Sequence, residues 1–193
     1  MLRRLYDWTM GLAAHRNALA LLALVAFVES SVFPIPPDVL LVPLVLAARA
    51  RAWRIAAVCT LASVAGGVAG YGIGYFAFET VGRPIVELYG AVDAYESFRD
   101  AYNEWGLWIV FTAGLTPLPY KVFTIASGVT HLDPTIFVVG SVLSRGLRFF
   151  VVTAILWRYG EPLRAFVENH LGKVTVAFAV LLVGGFVLIR LLG

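Results

Sequence analysis

A chain of 193 residues is about one domain long, and with 60% apolar against 14% charged residues it carries far fewer charges than the roughly 25% of a soluble domain. Uncharged runs of 16 and 24 residues exclude an ordinary soluble single-core enzyme and make lipid the solvent for much of the chain. The net charge of +3 comes from thirteen arginines and two lysines against twelve acids, a balance that fits basic cytoplasmic loops rather than a nucleic-acid partner.

Residues 1–16 alternate charged and apolar side chains near a helical repeat, so they are expected to form an amphipathic helix on the membrane surface, with Tyr6 and Trp8 at headgroup depth. No short apolar core followed by a small-residue cleavage pattern marks a signal peptide here. Residues 17–193 are expected to form one membrane domain. Its first part, 17–48, is apolar but interrupted by Glu29, by Asp38 and by the prolines of Phe33-Pro34-Ile35-Pro36-Pro37. Each half would reach only about 16 to 24 Å as helix, short of the roughly 30 Å of hydrocarbon, so a re-entrant hairpin is expected.

Residues 53–78 contain 24 uncharged residues, Ile55 to Phe78, enough to cross the bilayer with tilt. Residues 79–104 turn charged and read as an extramembrane amphipathic connector. Residues 105–131 are apolar again and broken at Thr116-Pro117-Leu118-Pro119-Tyr120-Lys121, which predicts a second re-entrant hairpin. Residues 134–158 and 173–192 are expected to span. The fold class is therefore an all-α integral membrane protein, with two proline-broken hairpins in inverted arrangement, about three transmembrane helices and amphipathic surface helices.

The hairpins form a weak internal repeat. Each carries Pro-x-Pro (Pro34 and Pro36; Pro117 and Pro119), each has an ionisable group within a few residues, and each precedes a long helix. Paired broken segments of this kind point to a site near mid-membrane, because irregular backbone survives at that depth only inside protein or beside a wet cavity. With both hairpins returning to their starting side, Arg3, Arg4, Arg16, Arg49, Arg51 and Arg54 share one face with Arg158, Arg164 and Lys173. Positive charge concentrates in the cytoplasm, so this places the amino terminus inside and the carboxyl terminus outside.

The groups that could carry chemistry lie in or beside the broken segments. Glu29 and Asp38 at membrane depth must be protonated, paired or wet, and proton coupling is the reading set against helix capping by Asp38 and an interfacial Glu29. Lys121, Arg145 and Arg148 are the internal bases. Arg145 and Arg148 share a helix face at i, i+3 with Ser141 and Ser144 nearby, which suits a phosphate; pairing with Glu29 or Asp38, or snorkelling, is the alternative. Gly66, Gly70 and Gly74 form a small-residue stripe for close helix packing. Cys59 stands alone and His15, His131 and His170 are scattered, so no disulfide framework, metal site or cofactor is expected, and no catalytic constellation suggests an enzyme.

Glu29-x3-Phe33-Pro34-x-Pro36-x-Asp38, then Gly66 and Gly70-Tyr71-x-Ile73-Gly74, then Gly114-x2-Pro117 with Lys121, resemble the DedA family, which carries the VTT domain, and within it the small YqaA-like bacterial branch. The resemblance covers about residues 20–160. It implies two oppositely oriented re-entrant hairpins and movement of lipids between leaflets: polyprenyl phosphates or phospholipids in bacteria, with proton coupling in several members. Glu29 and Asp38 match the family's functional acids, and Lys121 matches the second of its two functional arginines. Gly67 stands where many members have Asp, and Leu115 where they have the first arginine; Arg145 or Arg148 is expected to supply that charge. The implied protein is a non-enzymatic, multi-pass protein of the bacterial inner membrane, with lipids as partners, no nucleic acid, and a homo-oligomer left open. A proton-coupled small-ion or small-solute antiporter and a non-transporting assembly factor are the competing readings.

Overall fold

The computed structural model describes residues 17–32, 36–116 and 118–160. The surface helix expected at 1–16, the spanning helix expected at 173–192, and Pro34 and Pro117 lie outside these residues.

The first broken segment forms α1 (Ala18–Ser31) and α2 (Asp38–Ala47). A 3-10 turn, Arg49–Arg51, leads into α3 (Ala52–Ala77), then a π-helical turn (Phe78–Gly82) and α4 (Arg83–Leu88). The chain from Arg49 to Leu88 is one continuous helical stretch of 40 residues, running ten residues beyond the end expected at 78. The charged α5 (Val92–Glu104) follows after Gly90, whose φ of 63° is the left-handed conformation open to a residue without Cβ. The second broken segment forms α6 (Gly106–Leu115) and α7 (Tyr120–Val129). The last described element is α8, the 27-residue helix Pro134–Gly160. Every described element is helical, and two helical stretches, Arg49–Leu88 and Pro134–Gly160, are long and apolar enough to cross a membrane.

Local chemistry accounts for these boundaries. Asp133 accepts the backbone N–H groups of Thr135 at 2.8 Å and Ile136 at 3.0 Å, and Pro134 occupies the first helical position where its missing N–H costs nothing, so α8 starts sharply. Thr116, preceding Pro117, is extended (ψ 165°) as the proline ring demands, which ends α6 after ten residues. The α7 terminus is tied down by side chains from α5 and α3. Tyr95 donates to the Val129 carbonyl at 2.8 Å, Asn103 to that of Thr130 at 2.9 Å, and Tyr71 to that of Leu132 at 2.7 Å.

Helices α3 and α8 run antiparallel: Trp53 lies 6.0 Å from Trp157 at one end, and Tyr71 lies 5.2 Å from Phe137 towards the other. The two broken pairs fill opposite ends of this frame. α1 and α2 pack Leu22, Leu41, Leu44 and Val45 against Ile55 and Cys59 of α3 and Phe149 and Leu156 of α8. α6 and α7 pack Val110, Ala113 and Tyr120 with Tyr102, Leu132 and Phe137. Two apolar cores result, with a polar layer between them.

The glycine stripe makes this convergence possible. A Cβ on Gly66 would strike the Phe27 carbonyl of α1, one on Gly74 the Ile125 carbonyl of α7, and one on Gly70 both Thr124 of α7 and the Ser30 carbonyl of α1. Gly70 therefore marks where the ends of the two broken pairs meet on α3, and at all three positions the absence of a Cβ is what admits the neighbouring helix.

Candidate functional site

The polar layer is built from four elements. α8 carries Arg145 and Arg148, α1 ends at Glu29, Ser30 and Ser31, α2 begins at Asp38, and α3 contributes Ser63 from inside its apolar run. The two arginines share a helix face, as their i, i+3 spacing requires, but each meets a different acid.

Arg145 is 1% exposed. Its Nη2 donates to Glu29 Oε2 at 2.8 Å and its Nε to Ser63 Oγ at 2.6 Å. Ser30 Oγ lies 2.7 Å from Ser63 Oγ and donates to the same Glu29 oxygen at 3.1 Å. One consistent proton order closes the ring: Arg145 to Ser63, Ser63 to Ser30, Ser30 to Glu29, Arg145 to Glu29. The guanidinium carbon sits 4.9 Å from the Tyr120 ring centre and 4.7 Å from that of Phe149, so π faces flank the cation where no water reaches. Tyr120 in turn donates to Ser141, which donates to the Phe137 carbonyl at 2.6 Å. A buried guanidinium is tolerable here because charge, hydroxyl and rings together replace its hydration.

Arg148 is the more open of the two. Its Nη2 meets Asp38 Oδ2 at 2.9 Å, with side-chain exposures of 22% and 26%, and its Nη1 donates to the Thr116 carbonyl at 3.1 Å. One guanidinium thus joins the start of α2 to the end of α6, binding the first broken pair to the second. Lys121 makes the reciprocal link: its Nζ points to the Val32 carbonyl, just past the end of α1, at 3.4 Å. Thr124 Oγ1 lies 3.2 Å from the Ser30 carbonyl, a third link between the pairs. Each broken pair therefore has a helix-end carbonyl facing a cation from elsewhere in the chain, which suits the negative end of a helix dipole.

Asp38 makes no capping bond to the start of α2, where Pro37 holds the cap position; its carboxylate is turned to Arg148 instead. Pro36 and Pro119 lie immediately outside the turns that begin α2 and α7. A Cβ built on Gly67, where the resembled family often carries Asp, would lie 3.4 Å from the Tyr120 ring and hydroxyl, an ordinary contact that a longer side chain would have to share with the phenol. The residue after Leu115 is the one whose carbonyl Arg148 holds. Sequence reasoning missed Ser30, Ser63, Tyr120 and Thr124; hydroxyls standing beside an acid or inside an apolar run were the available signal. Around this polar centre Val32, Val39, Leu115 and Val122, one from near each broken helix end, are 58%, 47%, 40% and 54% exposed.

This chain belongs to the VTT domain family, the family of the DedA proteins: the VTT domain model matches residues 35–158, which include Asp38, Lys121, Arg145 and Arg148. It is a membrane-associated protein, and the two long apolar helices fit that class. The chain is 34% identical over 186 residues, 96% of both chains, to an uncharacterized protein of Haemophilus influenzae. It is 37% identical over 161 residues, 83% of this chain and 84% of the other, to an uncharacterized HI0703 homolog from Histophilus somni. No solved structure matches the chain.

Proposed function

We propose that this protein moves an anionic lipid, a polyprenyl phosphate or a phospholipid, between the leaflets of the bacterial inner membrane, with Glu29 and Asp38 as the proton-exchanging groups. In this reading α1–α2 and α6–α7 are re-entrant hairpins entering from opposite sides, and the amino terminus and the Arg49, Arg51 and Arg54 cluster face the cytoplasm. The observation that carries it is the meeting of two acid–arginine pairs and Lys121 at the crossing of the broken segments, with Arg148 tied to both.

The two arginines divide the work. Arg148 and Lys121 are the accessible cations, and each is held by a group that a phosphate would replace: a carboxylate and a carbonyl for Arg148, a carbonyl for Lys121. Arg145 lies behind them and serves the headgroup through its field, with Glu29 as resident counter-charge. Protonating Asp38 frees Arg148 for the anion, and protonating Glu29 leaves Arg145 in need of one, so proton uptake and headgroup binding reinforce each other. The exposed Val32, Val39, Leu115 and Val122 border the centre with apolar surface, which favours an amphiphile whose chains stay in the bilayer over a small hydrophilic solute.

Purified protein in vesicles containing fluorescent anionic lipid tests the reading. Wild type should speed exchange between leaflets, Arg148→Gln and Lys121→Gln should each reduce it at least tenfold, and Asp38→Asn combined with Glu29→Gln should remove the pH dependence that either single variant only weakens. Exchange no faster than in empty vesicles for several headgroups would overturn the proposal, and solute flux without lipid movement would select the antiporter.

A further inference from the structure

One end of the molecule has a charge pattern that the central site does not use. Arg49 and Arg51 in the 3-10 turn, Arg54 in the first turn of α3 and Arg158 near the end of α8 join no ion pair among the described residues. The described carboxylates other than Glu29 and Asp38 all fall between Glu79 and Asp133, in the segments around the opposite end of α3. Among the described residues this end is therefore strongly cationic.

The same ends of α3 and α8 carry an open aromatic strip. The Trp53 ring is 6.1 Å from Phe150 and 6.0 Å from Trp157, and the three side chains are 46%, 37% and 47% exposed, so the strip is surface rather than core. The Arg49 guanidinium is seated against Gly160, so closely that a Cβ there would collide with it, and Arg158 lies 5.5 Å from the Tyr159 ring centre. A guanidinium that simply extended into water would need no such seat. From Phe150 to Gly160 the helix rises about 15 Å, the dimension of a headgroup followed by the first half of an acyl chain.

We propose that Arg49, Arg54 and Arg158, with Trp53, Phe150 and Trp157, form a binding site for an anionic phospholipid, its phosphate on the arginines and its chain along the rings. Charge complementarity selects the headgroup, and the half-exposed rings continuing from the cations into the apolar surface of α8 select a lipid over a soluble phosphate. The site lies at the end of α3 remote from the α6–α7 core, and it stands whether or not the protein moves lipids.

Tryptophan quenching tests it. A variant with Trp8, Trp105 and Trp108 changed to Phe keeps Trp53 and Trp157 as reporters, and it is placed in phosphatidylcholine vesicles doped with brominated phosphatidylglycerol or brominated phosphatidylcholine. The brominated anionic lipid should quench at a several-fold lower mole fraction, Arg49→Gln, Arg54→Gln and Arg158→Gln should each lower that preference, and the triple variant should abolish it. Equal quenching by both lipids, as expected were the arginines neutralised by Glu161 or Glu168, would overturn the proposal. So would a preference that survives the triple arginine variant, relief of quenching by soluble glycerol phosphate, or a dimer that shields the rings from both lipids.

Discussion

Arg145 shows why a buried charge in this protein needs its whole surroundings. With Glu29 Oε2 at 2.8 Å, Ser63 Oγ at 2.6 Å and two ring faces, nothing around the guanidinium is replaceable by water. Glu29→Ala should therefore lower stability by about 3–5 kcal/mol in a melt of the solubilised protein, whereas Glu29→Ala combined with Arg145→Met should recover most of the loss, because the unpaired charge is gone. The Arg148 pair, 22% and 26% exposed, should contribute less, about 1 kcal/mol, so Arg148→Gln separates function from folding. Outside the long helices, the backbone N–H groups of Ile136 and Thr135 hold the Asp133 carboxyl below its usual range. A depressed folded-state value means stabilisation that is complete above the unfolded-state value of 3.8 and fades as pH falls below it. Asp133→Asn keeps the capping acceptor and should flatten this acid limb in melts recorded from about pH 5 down to about pH 2.

At the scale of elements, α3 organises the molecule by having almost no side chain where the broken helices approach. Gly70→Val should force Thr124 and the Ser30 carbonyl apart, costing about 1–3 kcal/mol or more and cutting exchange activity. Two residues on, nothing lies within 4 Å of a Cβ built on Gly72, so Gly72→Ala should be tolerated and should stabilise the helix by up to about 1 kcal/mol. The contrast, read in paired melting curves, distinguishes a packing face from general glycine content. The 40-residue stretch from Arg49 to Leu88 is about 60 Å long, roughly twice a hydrocarbon thickness and more than one crossing needs. The π-helical turn at Phe78–Gly82 begins where the apolar run ends, and α5 folds back there, with Tyr95 stacked 4.4 Å from Phe78 and hydrogen-bonded to Val129. The apolar run ends at Phe78, and hydropathy carried no signal that the helix would continue to Leu88.

For the molecule as a whole, two apolar cores separated by a polar layer are an unusual way to fill a helical protein, and the arrangement makes a statement about water. If the layer is the crossing point of two re-entrant hairpins, cysteines introduced at Val39 and Leu115 after Cys59→Ala should react with a water-soluble maleimide. A cysteine at Leu61, which is 69% exposed on the outside of α3, should not, because lipid covers it. Reaction at Leu61 with silence at the other two would contradict the membrane placement of both hairpins.

Composition alone pointed to a membrane protein, since the chain lacks enough charge to cover a soluble surface. Local sterics and length determined many of the element boundaries: Pro37, Pro119 and Pro134 stand at helix starts, although Pro43 and Pro84 lie inside helical stretches, and an apolar run has a fixed rise per residue. The same logic exposed which ionisable groups sit in or beside the broken segments. What only the tertiary structure decided is pairing. Glu29 finds Arg145 across 116 positions and Asp38 finds Arg148 across 110, while spacing along α8 says only that both arginines share a face. Which acid meets which base, and that Ser63, Tyr120 and the Thr116 carbonyl complete the site, depends on how closely α1 and α7 approach α3, and contacts between distant segments leave no periodic trace in the chain.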